Sequence, residues 1–218
     1  MVALLVAAHV AAAITSHVFH HEHAYGLVDT FDLNFENNVP TFFATLLLFT
    51  CAVLLRCIAR ADASAVGTNR PSRHWTWLAA LFLFLAVDED ASLHELLIEP
   101  VRQVLPWSGP LYFAWVVPYA FAVVLVGLYF LGFVRALPRR TRRLFVISGG
   151  TFLSGAIGFE LVAGWYLTNH EETEDLVYSL LVAGEEVLEM SGLVLFIYAL
   201  MDHLRNRLGP GFLRIRFR

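Results

Sequence analysis

Six apolar stretches, at about residues 2–19, 40–58, 75–98, 110–136, 144–168 and 176–203, take up nearly all of the 218-residue chain. An α-helix needs roughly 17 to 25 apolar residues to cross a bilayer. The spacing therefore predicts an all-α, polytopic transmembrane bundle of six helices. The connections leave no room for a second domain, so residues 1–218 read as one transmembrane domain with no internal repeat. With 58% hydrophobic residues and a mean hydropathy of +0.63, an ordinary soluble fold is excluded. No basic residues precede the first stretch, which reads as a retained helix rather than a cleaved leader. Cys51 and Cys57 are six positions apart on one helix, point to different sides and read as packing residues.

The charges set the orientation. The chain has no lysine, which excludes a retinal Schiff base and a phosphate-binding P-loop lysine. Its arginines cluster after the second stretch (Arg56, Arg60, Arg70, Arg73), after the fourth (Arg135, Arg139, Arg140, Arg142, Arg143) and at the C-terminus (Arg205, Arg207, Arg214, Arg216, Arg218). Only Arg102 lies elsewhere. In a bundle with an even number of helices these clusters share one side, and the positive-inside rule puts both termini in the cytoplasm of a bacterial or archaeal cell. The tail from Phe212 to Arg218 alternates apolar and basic residues, which suits an anionic inner leaflet; nothing suggests nucleic acid. Asp202, three before Arg205, is expected to pair with it.

Of the nineteen acids, only Asp62 and Asp202 belong to that side. Glu171, Glu172, Glu174 and Asp175 read as a solvated outer loop. Others are embedded in the helices. The third stretch runs without a break into Asp88, Glu89, Asp90, His94 and Glu95, and Asp88 lies about 21 Å along a core about 30 Å thick. If that helix continues, Asp88, Ser92 and Glu95 share one face and Asp90 and His94 another. Trp75 and Trp77, at its start, read as interface anchors. Glu160 lies about 24 Å into the fifth helix, beside Gly150, Ser154 and Gly158, whose four-residue recurrence reads as a packing stripe. Glu186 lies about 15 Å into the sixth, flanked by Glu185 and Glu189.

A carboxylate at the centre of a bilayer costs roughly 2.5 to 3.5 kcal/mol, so such groups face protein, a proton, a metal or water. Asp88, Glu89, His94, Glu95, Glu160, Glu185, Glu186 and Glu189 are therefore candidate ligands for a divalent metal ion, with iron, manganese, zinc and calcium not distinguished. Such a centre could support a metal-dependent membrane enzyme. The same acids could instead form a relay in a proton or cation channel or transporter, or meet basic residues of a partner in a membrane complex or homo-oligomer. Weaker candidates lie between the first two helices. His20, His21 and His23, with Glu22, read as an exposed loop before ligands. Asp32 and Glu36 fall on the polar face of a short amphipathic helix at about 24–37, opposite Leu27, Phe31 and Phe35.

Asp88-Glu89 followed by His94-Glu95, the stretch Asn34-Phe35-Glu36-Asn37-Asn38-Val39-Pro40-Thr41, and Glu185-Glu186-Val187-Leu188-Glu189-Met190 together resemble a group of bacterial multi-pass membrane proteins with no assigned activity. The resemblance spans most of the chain. It implies six helices in the inner membrane and supplies no mechanism.

Overall fold

A computed structural model describes all residues except 22, 35–37, 66–71, 105–107 and 209–218. Among the described residues the chain is helical and has no strand. The long helices are α1 (Val2–His17), α3 (Val39–Ala65), α4 (Arg73–Ala91), α6 (Val116–Ala136) and α9 (Leu176–Leu208). A further continuous run joins α7 (Arg139–Leu153), a π-helical turn (Ser154–Phe159) and α8 (Glu160–Asn169). Short helices α2 (Leu27–Phe31) and α5 (Ile98–Arg102) lie in connections. Three elements are long and apolar enough to cross a membrane: α3, α6 and the α7–α8 run.

Apart from Arg102, the described arginines lie toward one end of the bundle. There Arg207 pairs with Asp62 at 3.1 Å, joining α9 to α3, and Arg140 pairs with Asp202 at 2.9 Å, joining α7 to α9. Asp202 thus binds an arginine of another helix and not Arg205, three residues along its own. Trp75 is not an interface anchor either: it is buried, and its indole N–H donates to Asp62 at 2.8 Å, while Trp77 is exposed. Beneath these pairs lies a dry core of Leu48, Cys51, Leu55, Ile58, Phe196 and Leu200. Cys57, expected to pack, is exposed and free.

The opposite end is tied by polar contacts. His9, fully buried in α1, accepts the Leu33 N–H on Nδ1 at 2.9 Å, which leaves its Nε2–H to donate to the Ser179 carbonyl at 3.0 Å. One imidazole therefore fastens α1, the 27–34 segment and the start of α9. This replaces the amphipathic helix expected at about 24–37. Among the described residues of that stretch only Leu27–Phe31 is α-helical; Val28 and Leu33 are buried there while Leu27 is exposed. Asp175 starts α9, accepting the Val177 and Tyr178 N–H groups at 3.0 Å each and the Tyr166 hydroxyl at 2.8 Å.

Where α7–α8 meets α9, glycines set the spacing, but not those of the expected stripe. Open space surrounds Gly150 and Gly158, and Ser154 is exposed. The close approach is at Gly155, where a Cβ would stand 2.6 Å from the Glu185 carbonyl oxygen and 2.8 Å from Glu189 Cγ. On α9, a Cβ at Gly192 would meet the Phe152 backbone nitrogen at 2.7 Å. A π turn holds an extra residue and rotates the helix beyond it, so a four-residue repeat drawn through Ser154–Phe159 selects the wrong face.

Candidate functional site

The embedded acids come from three elements that meet in the half of the bundle away from the arginines. Helix α4 ends at Ala91, because Ser92 takes a left-handed conformation (φ 48°) and turns the chain. The expected faces through Ser92 therefore do not form: Glu95 leaves the face of Asp88 and becomes exposed, and His94 leaves Asp90. The turn folds His94 back over Asp88, with Nδ1 3.6 Å from Oδ2. Asp88 is buried and its Oδ1 accepts the Tyr119 hydroxyl at 2.9 Å. The His94 ring also packs on Trp115, with centroids 4.6 Å apart.

Trp115 carries the geometry to the next acid. Its indole N–H donates to Glu160 Oε1 at 2.9 Å. Glu160 begins α8 directly after the π turn, and its carboxyl lies within electrostatic range of that of Glu185 on α9. Two carboxyls set this close repel when both are ionised, which favours a proton on one of them. Glu89, Glu186 and Glu189 lie within electrostatic range of Glu185, completing one acidic layer. Among the described residues, no arginine or histidine forms an ion pair with Glu160, Glu185, Glu186 or Glu189. All four are partly accessible.

The weaker candidates lie apart. His20, His21 and His23 are exposed, and His23 meets Asp29 at 3.3 Å. Asp32 lies 3.4 Å from the His9 ring, in the clasp on α1. Glu36 falls outside the described residues. Among those described, no three His, Cys, Asp or Glu side chains converge as metal ligands would. Three participants were not expected from the sequence: His9, Trp115 and Tyr119. A lone histidine in an Ala-rich apolar helix is itself a signal, because a buried imidazole needs partners. The two aromatics, in a segment rich in them, carry no such mark.

No curated protein and no solved structure matches the chain. Residues 1–204 match a family described as a domain of unknown function, DUF8692, and the chain belongs to that family.

Proposed function

We propose that the protein is a six-span protein of the bacterial or archaeal cytoplasmic membrane, with both termini in the cytoplasm, that takes up and releases protons at the carboxyl layer in the outer half of the bundle. The juxtaposition of Glu160 with Glu185, Glu186 and Glu189, none of them in an ion pair with an arginine among the described residues, carries this reading. Carboxyls gathered in this way repel when ionised, and protonation relieves the repulsion. Carboxyl layers of this kind mark proton paths in membrane proteins. The six spans would be α1, α3, α4, α6, α7–α8 and α9. Helices α4 and α9, at 19 and 33 residues, have the length, and both carry the acids that make them less apolar. The gathering of arginines at one end supports the orientation.

The divalent-metal reading stands second, favoured by the same surplus of carboxylates. It requires side chains to close on an ion, since at least three donors must reach it. One sample tests both readings. Purified protein in lipid vesicles should take up protons reversibly after an acid pulse, measured with a pH-indicating dye, and Glu160→Gln with Glu185→Gln should remove that uptake. Equal uptake in the double variant contradicts the proposal. Stoichiometric divalent metal in the native protein, lost in the same variant, supports the metal reading instead.

A further inference from the structure

Helix α6 differs from the other long helices in how little of it is held. Only Val116 and Phe130 are buried, while Phe121 is 65% and Leu128 64% exposed. It is fixed at its two ends. Near the arginines, Phe133 stacks on His74 at 5.0 Å and meets Trp75 edge-on at 4.8 Å. At the acid end the ties are Trp115 to Glu160 and Tyr119 to Asp88, each 2.9 Å. Between the two, an apolar cleft opens along α4 and α6, lined by Trp77, Ala80, Leu81, Leu125 and Val126. The acid end is also packed, with Trp115 and Val116 buried and the His94 ring against Trp115. Its two hydrogen bonds both end on acids, however, so a change at those acids acts on this end and not on the aromatic clamp at the other.

From this geometry we infer that the acid-end half of α6 is a gate over the carboxyl layer, latched by Trp115 on Glu160 and Tyr119 on Asp88. Both latch residues donate; Glu160 belongs to the layer, and Asp88 precedes its Glu89 on α4. A hydrogen bond to an ionised acceptor is roughly twice as strong as one to a neutral acceptor. Loading the layer with a proton or other cation thus weakens the latch, and emptying it strengthens the latch. The other groups facing the two acceptors are His94 at Asp88, and Glu185, Glu189, Tyr178, His94 and Glu95 at Glu160. They set when loading occurs, whereas the latch reports that it has. What the gate controls rests on the proton-binding reading; that it moves does not.

Spin-label distances on the full chain in lipid vesicles test this. In a Cys57→Ser background one pair, Val87→Cys with Phe121→Cys, spans the latch end, and a second, Ala80→Cys with Leu131→Cys, spans the hinge end; all four positions are exposed. Trp115→Phe with Tyr119→Phe should lengthen and broaden the first distance and leave the second unchanged. Asp88→Asn with Glu160→Gln, which keep shape and lose charge, should shift the first pair the same way by less. An unchanged first pair in both double variants overturns the gate, as does an equal shift of both pairs, which would mean that α6 comes away whole. Proton uptake with an immobile α6 overturns the gate alone. A mobile α6 without uptake overturns the proton-binding reading alone.

Discussion

The two halves of the bundle are built from the same helices on opposite principles. Near the arginines, α3, α4, α7 and α9 interlock through a dry core in which Phe196 stacks on Phe82 at 4.8 Å, and the charges are paired across helices at the rim. In the other half α4, α8 and α9 bring carboxyls together with few opposing charges, and backbone glycine contacts hold the helices at close range. The first half is arranged for stability. The second keeps groups that cost stability, which is the pattern expected where a site does work.

That contrast can be broken by substitution. The largest effect is expected in the dry core: Leu200→Ala or Leu55→Ala should cost about 2–5 kcal/mol by unfolding in detergent. Glu189→Gln, in the acidic layer, should cost nothing or stabilise, since it removes a carboxyl that repels its neighbours when ionised. A loss at Glu189 as large as that at Leu200 would remove the distinction. Next comes the helix contact. Gly155→Ala should cost about 1–3 kcal/mol through overpacking against Glu185 and Glu189. Gly158→Ala, with open space around it, should stay within about 0.5 kcal/mol. Equal effects at the two glycines would discredit the register set by the π turn.

The smallest expected effect concerns the start of α9. The Tyr178 amide, with the Tyr166 hydroxyl and the Val177 amide, holds the Asp175 carboxyl below the usual carboxylate range, against the opposing effect of burial. Asp175→Ala should cost about 1 kcal/mol near neutral pH, as a lost helix cap does. A lowered pKa stabilises the fold fully above the unfolded value of about 3.9 and loses that contribution as pH falls through the folded value. The difference between wild type and variant should therefore narrow below about pH 3.9. A difference that widens on acidification would contradict the cap.

Apolar length marked the helices well, because a chain with so few polar breaks has few ways to fold. The embedding of the acids was legible as well: Asp88, Glu160 and Glu185 each fall inside an apolar stretch, at depths that spread over several ångströms. Local backbone geometry was not legible. Nothing in Ala91-Ser92-Leu93 announces a left-handed residue, yet that residue decides that His94 meets Asp88 and that Glu95 turns to water. The π turn hides in the same way, since its small residues fit an ordinary four-residue repeat. Asp202 follows a similar logic: the partner three residues away is visible in sequence, and Arg140, sixty-two residues away, needs the fold.

The central proposal is that the layer holds a proton on Glu160 or Glu185. Infrared difference spectroscopy of the protein in lipid, between high and low pH, observes that proton through the carbonyl stretch of a protonated carboxyl group. The account predicts such a band in the native protein, downshifted in deuterated water and lost in both Glu160→Gln and Glu185→Gln. A native spectrum without a protonated-carboxyl band, or a band that survives both substitutions, would contradict it.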